Sequence, residues 1–293
     1  MPFIRDFTDM KKFWEDKCLC CGKISLKKKL TFENSDLYIC KNSCIFSKPK
    51  IDTNSLYTPE YFKSYYEDEI NIAQKEMLVK LIFFLKKHLD AGSILDFGCG
   101  TGSFLINAEE YGFKDNIGVD VSKYATTIAQ SKSLNTNFYN NKSALESKKF
   151  DCISFIDSIA HIEDVNHVFN ELIEKNLNDN GVILIRTPNI NKSYILYTLL
   201  IRFLIPKKYL SSLLFLPNRL FLFNIKSIKL FLHKHNLEIQ ECFLEPEFTS
   251  IPPKFVKNNF LKSIIDNILR VKIPYFLNKN NSLTLIARRK NDV

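Results

Sequence analysis

Between Ser93 and Arg186 the chain alternates short apolar runs with stretches whose apolar residues return at helical spacing. The runs SILDF, NIGVD, NTNFY, FDCISFI and GVILIRT have the length and β-branched content of strands. Helices fit between them at Ser103–Tyr111, Ser122–Ser133 and Val165–Asn176. Strand and helix in strict alternation build βαβ units, which close only as a largely parallel sheet with helices on both faces. Farther on, LEIQECFLE and SLTLIARR predict two long strands that form an antiparallel pair at one edge. The predicted fold class is therefore α/β: a doubly wound, mostly parallel seven-stranded sheet with an antiparallel edge pair.

Upstream the pattern differs. Residues 1–50 are basic and rich in cysteine, without a long apolar period, and predict a small separate module. Residues 51–92 form a linker and cap, with MLVKLIFFLKKHL at helical spacing predicting a helix that ends near His88. The remaining 93–293 form the main domain. Within it, 193–217 is unusually apolar, yet Arg202, Pro206, Lys207 and Lys208 interrupt it, so it is too broken to span a bilayer. It predicts a helical insertion serving as lid, dimer contact, peripheral membrane contact or ordinary core.

Composition narrows the class little. A chain of 293 residues with 45% hydrophobic and 25% charged residues buries a full core. The formal charge of +9 favours anionic partners, but the basic residues are dispersed in short runs, among them Lys27–Lys29 and Arg288–Lys290, and read as solvated faces. The opening MPFIRDFTDMKKFWEDK lacks an apolar signal core, which predicts a cytoplasmic protein whose eight cysteines are thiols or metal ligands.

The most informative string is ILDFGCGTGSFL, Ile94–Leu105. A strand carrying Asp96 runs into a turn with Gly98, Cys99, Gly100 and Gly102, and a helix follows near Ser103. Glycines let the backbone turn sharply and let a ligand lie against it. Dinucleotide sites favour G-x-G-x-x-G with a pyrophosphate at the helix N-terminus, whereas this turn is G-x-G-x-G and Asp96 repels phosphate. An acidic cradle fits the cationic sulfonium and amino group of S-adenosylmethionine. Asp120, ending the next strand, is placed to accept hydrogen bonds from two ribose hydroxyls.

These residues, from about Tyr57 to Arg289, resemble a class I S-adenosylmethionine-dependent methyltransferase. The resemblance implies that the glycines line the methionine part, that Val121 packs on adenine, and that Tyr139, Asn140 and Ile156 complete the cofactor site. In FDCISFIDSIAHIEDV, Asp157 and His161 stand beyond a strand that points into the same crevice, and His161 is the natural base for an acceptor hydroxyl. That segment is similar to the E-x-x-E-H of ubiquinone-biosynthesis O-methyltransferases, with Ala160 in place of the second acid. The likeness continues through RTPNINKSYIL and implies that Thr187, Pro188 and Asn189 line the acceptor pocket.

Cys18-x2-Cys21-Gly22 has knuckle spacing, and Cys40-x3-Cys44 supplies two more thiolates for a structural zinc, leaving Cys20 spare. Cys99, Cys152 and Cys242 read as buried small apolar residues. Such a module ahead of a Tyr-rich helix resembles sugar and polysaccharide-cluster methyltransferases. That resemblance implies a sugar, nucleotide-sugar or lipid-linked glycan as acceptor, with Tyr61 and Tyr65 closing over it. Two alternatives stand beside it: a membrane-associated quinone or lipid O-methyltransferase using 193–217, and a nucleic-acid-binding protein using the basic module. The latter lacks aromatic–basic interleaving, so no nucleic-acid partner is expected.

Overall fold

A computed structural model describes residues 18–23, 27–42, 44–51, 58–60, 62, 71–190, 195, 219–246 and 281–290. Its main sheet contains β4 (Ile94–Phe97), β5 (Ile117–Val119), β6 (Asn137–Tyr139), β7 (Phe150–Ile156), β8 (Leu177–Asn189), β10 (Leu237–Pro246) and β11 (Asn281–Arg289). The order is β10-β11-β8-β7-β4-β5-β6, seven strands, with β6 through β8 parallel and the β10–β11 pair antiparallel. This is the predicted sheet. From β4 the chain winds outward through β5 and β6, then returns to β7 on the other side of β4. The reversal places a crevice at the carboxyl ends of β4 and β7, where such sheets bind ligands.

Helices cover both faces because the central strands are apolar on both. Every residue of β4 is buried, as are residues 181–188 of β8. On one face α1 (Asn71–Lys86) and α2 (Ser103–Glu110) pack Leu81, Ile82, Leu85, Phe104 and Leu105 against Ile94, Cys152 and Leu184. On the other, α4 (Val165–Asn176) and α5 (Ile225–Lys234) pack Phe169 and Phe231, rings 4.9 Å apart, over Phe155. Burying each such ring contributes about 1.5–3 kcal/mol. Between β5 and β6, α3 (Lys123–Lys132) starts at Ser122, whose hydroxyl accepts from the Ala125 N–H at 3.3 Å. A reciprocal cap between Asn224 and Ser227 starts α5.

The cysteine segment folds as β1 (Lys27–Thr31), β2 (Ser35–Ile39) and β3 (Ile45–Pro49), and its fourth strand is β9 (Phe221–Leu222), contributed from far along the chain. Phe46 and Phe221 meet edge to face at 5.5 Å, and Cys18, Cys20, Cys40 and Cys44 join the core of the α4–α5 face. Ser47 donates to the Leu220 carbonyl and Leu220 to that of Ala160, at 2.9 and 2.8 Å, so this sheet is bonded to the loop beyond β7.

Two expectations need correcting. Cys242 is exposed: β10 is an edge strand, and the side that carries Cys242 and Leu244 faces outward. The C-terminal basic run is not a freely solvated face. Arg288 donates to the carbonyls of Asn180 and His88, and Arg289 to those of Asn178, Ile173 and Leu177, stitching β11 to its neighbours. Among the described residues no helix is long and apolar enough to cross a membrane. Of 193–217, only Ile195 is described, and it is buried; Tyr61 and Tyr65 also lie outside the described residues.

Candidate functional site

Three glycines set the turn after β4: Gly98, Gly100 and Gly102 have φ of 85°, 53° and 78°, a region unfavourable to other residues. Space is as restrictive as backbone. A Cβ on Gly98 would lie 2.3 Å from that of Ser158, and one on Gly102 would lie 2.6 Å from the Phe138 ring. The glycine turn and the loop beyond β7 are thus pressed together, and the Ser158 hydroxyl donates to the Phe97 carbonyl across the seam. Cys99 turns its buried side chain inward beside Gly118, so only its backbone belongs to the turn.

Asp120 locks this turn. Its carboxylate accepts from the Gly100 and Ser122 N–H groups, both at 2.9 Å, one on each oxygen. Burial pushes the Asp120 carboxyl up, against the pull of those two bonds. Each oxygen retains a lone pair for a further donor. The neighbouring Val121 is 45% exposed, an apolar surface open beside the carboxylate. Tyr139 is partly buried and its carbonyl accepts from the Asp120 N–H at 3.1 Å, while Asn140 is exposed.

Asp96 lies inside the sheet, 2% exposed, with one oxygen accepting from the Ser154 hydroxyl at 2.8 Å. Burial pushes its carboxyl up to about 7, the hydroxyl opposes this, and the nearby Asp120 charge adds to it. Unfolded, the group titrates near 3.8. Across the window between these values the folded chain holds a proton that the unfolded chain releases, so stability from this group falls as pH rises through it. A bound cation reverses that sign by favouring the carboxylate. We expect affinity for S-adenosylmethionine to drop roughly tenfold from pH 8 to pH 6, and the dependence to vanish in Asp96→Asn. Calorimetric titrations that are flat with pH in the wild type would refute this role.

Beyond β7, Asp157 has φ 56°, the left-handed region, and its N–H donates to the Arg186 carbonyl at 2.8 Å. Its Oδ2 pairs with Arg186 Nη1. Ile156 precedes it, half-buried, and a short 3-10 turn, Ile159–His161, follows it. His161 is partly exposed on this turn. The contrast is His235, buried against Phe169 and Phe231, where burial lowers its pKa to about 4: a packing histidine. Along β8, Thr187 and Asn189 point to one face and Arg186 and Pro188 to the other. In the sequence Arg186 stands only as the tail of the apolar run GVILIRT.

The family described as a methyltransferase domain matches residues 70–241, which span the glycine turn, Asp120 and the loop beyond β7. The chain belongs to that family. With this sheet it is a class I S-adenosylmethionine-dependent methyltransferase. Among solved structures it is similar to magnesium protoporphyrin IX methyltransferase from Synechocystis PCC 6803, with a TM-score of 0.53 at 15% identity over 81% of this chain and 96% of that one. It is likewise similar to an S-adenosylmethionine-dependent methyltransferase from Geobacter sulfurreducens, with a TM-score of 0.53 at 14% identity over 80% and 99%. Both were solved with S-adenosylhomocysteine bound. Ribosomal protein L11 methyltransferase from Thermotoga petrophila is 44% identical over 50 residues, 17% of this chain and 19% of that protein's length.

The methyltransferase also has a cluster of four cysteines. The sulfurs of Cys18, Cys21, Cys40 and Cys44 all lie within 4.8 Å of one another. A tetrahedral ion at ~2.3 Å from each sulfur needs sulfurs about 3.8 Å apart, so the set fits zinc. Gly22, with φ 70°, closes the first turn, its N–H donating to the Cys18 carbonyl at 2.7 Å. The irregular second pair also has a cause. Ile39 and Ile45 are register partners, so Cys40 and Cys44 flank a hairpin loop, and the Cys40 N–H donates to the Cys44 carbonyl at 3.0 Å. Cys20 is buried against Cys18 and Cys44, adjoining the cluster.

Proposed function

We propose that the methyltransferase moves the methyl group of S-adenosylmethionine to a hydroxyl of a sugar, nucleotide-sugar or lipid-linked glycan. The observation that carries the reading is the seam at the carboxyl ends of β4 and β7, where an acidic glycine turn meets a loop bearing Asp157 and His161. Bound there, the cofactor supplies a methyl group on a sulfonium, already activated for in-line displacement. Asp96 favours its cationic end, Asp120 takes the ribose hydroxyls, and Val121 covers the adenine. Tyr139, Asn140 and Ile156 border the cofactor, and the backbone of Gly98, Cys99, Gly100 and Gly102 lies along its methionine part. With the cofactor held there, the His161 imidazole would accept the proton of the attacking acceptor hydroxyl. Positioning does most of this work. Thr187 and Asn189, at the end of β8, border the acceptor side.

Similarity of fold does not decide the acceptor. The names of the proteins similar to this chain specify a magnesium porphyrin in one case and a ribosomal protein in another. The glycan reading draws instead on the cysteine module and on the polar groups at the acceptor side. Incubating the protein with methyl-labelled cofactor and a panel of nucleotide-sugars and extracted lipid-linked glycans tests it. Label in a sugar hydroxyl is the expected result; label only in porphyrin, protein or quinone would exclude it.

Zinc held by Cys18, Cys21, Cys40 and Cys44 would tie together the loop before β1 and the β2–β3 hairpin. We expect about one zinc per chain by plasma mass spectrometry, lost in Cys40→Ser together with several degrees of thermal stability. Fully folded protein without metal would contradict this.

A further inference from the structure

Arg186, its β11 register partner Thr284, and Ser282, partner of Pro188, share one face of the sheet at its carboxyl edge. It is the face on which Asp96 and Ser154 stand, two strands away from β8 in the case of Asp96. All three side chains are deeply buried: Arg186 is 8% exposed, Ser282 and Thr284 0%. Yet among the described residues Arg186 Nε, Thr284 Oγ1 and Ser282 Oγ have no hydrogen-bond partner, and neither does Asp157 Oδ1 at the end of the adjoining β7. Folded proteins leave few buried polar atoms unpaired, and each is costly. Here four cluster at the edge where the sheet binds ligands. One of them, on Asp157, is also aimed by a strained backbone.

The chemistry of the set selects its ligand. An apolar acceptor would satisfy none of these atoms. An oxyanion would suit the free Nε edge of Arg186, but Asp157, already on Nη1, neutralises that charge and would repel the anion while its Oδ1 stayed bare. A pair of neighbouring hydroxyls answers both needs at once, one donating to Asp157 Oδ1 and the other accepting from Arg186 Nε, with the Thr284 and Ser282 hydroxyls able to do either. We propose that Asp157 and Arg186, backed by Thr284 and Ser282, form a subsite that grips a pair of acceptor hydroxyls next to the one methylated. This rests on the glycan reading above and adds the residues that choose among glycans. The backbone bond from Asp157 to the Arg186 carbonyl and the side-chain pair hold the two residues as one unit.

Saturation-transfer NMR on the protein loaded with S-adenosylhomocysteine tests the subsite. The probes are methyl glycosides of gluco, galacto and manno configuration, their monodeoxy forms, acetate and inorganic phosphate. At least one glycoside should bind, and weaken at least tenfold when one of two adjacent hydroxyls is removed. Binding should weaken tenfold or more in Arg186→Met and severalfold in the isosteric Thr284→Val, with S-adenosylhomocysteine affinity within twofold throughout. Thr284→Val carries the test alone if Arg186→Met does not fold. Equal glycoside binding in both variants would overturn the subsite and leave the glycan reading standing. No glycoside binding to wild type would overturn both. Phosphate or acetate binding that depends on Arg186 would make this an oxyanion site, and loss of S-adenosylhomocysteine in the folded variants would assign the residues to the cofactor; either result refutes the proposal.

Discussion

Asp120→Ala should weaken S-adenosylmethionine binding by about 100-fold or more. Two losses combine. The Gly100 and Ser122 N–H groups lose their acceptor, which costs about 1–3 kcal/mol for each buried donor left unpaired and frees the turn that shapes the site. The ribose hydroxyls lose charge-assisted bonds of roughly 1.5–3 kcal/mol. The first loss falls on free and bound protein alike and so bears on stability; the two ribose bonds together come to about 3–6 kcal/mol, beyond the roughly 2.8 kcal/mol of a hundredfold in affinity. Because the first loss is internal, the substitution should also lower thermal stability, and Asp120→Asn should fall between wild type and alanine. Isothermal calorimetry measures the affinity; an unchanged value would remove Asp120 from the site.

His161→Ala should lower kcat by roughly 10² to 10⁴ while cofactor affinity stays within about twofold. The histidine sits on the turn beyond β7, outside the glycine turn, so its removal leaves the cofactor cradle intact. Ala160, beside it, is held by the Leu220 N–H, which keeps the backbone in place without the imidazole. With S-adenosylmethionine saturating at every pH, so that Asp96 no longer contributes, the acidic limb of the kcat profile should disappear in the variant, since the group that must be deprotonated is gone. An unaltered rate would exclude His161 from proton transfer.

Much of this arrangement is legible in the sequence because its signals are local. The runs that became β4, β5, β6 and β7 combine apolar content with Asn, Gly or Asp at their ends, and α4 runs from Val165 to Asn176 as its period predicts. The glycine turn is readable because positive φ at three positions admits little else. What escaped depends on partners distant in sequence. β1, KKKLT, and β2, SDLYI, look like solvated connections, and β9 is only two residues, meaningful because it pairs with β3 some 175 positions earlier, Phe46 with Phe221. β8 begins at Leu177 rather than Gly181, since α4 passes into it without a loop. Arg186 did leave a signal: a single charge in the buried run GVILIRT needs a partner, and Asp157 is that partner. Nothing local, however, announces that Ser282 and Thr284 stand beside it, because only strand register brings them there.

Cofactor binding by the turn from Gly98 to Gly102, closed by Asp120, underlies every role assigned above. Calorimetric titration of the wild-type protein with S-adenosylmethionine, its folded state verified by circular dichroism, measures this directly. A single saturable site with one cofactor per chain is expected. Folded protein that takes up no cofactor at millimolar concentration would contradict it.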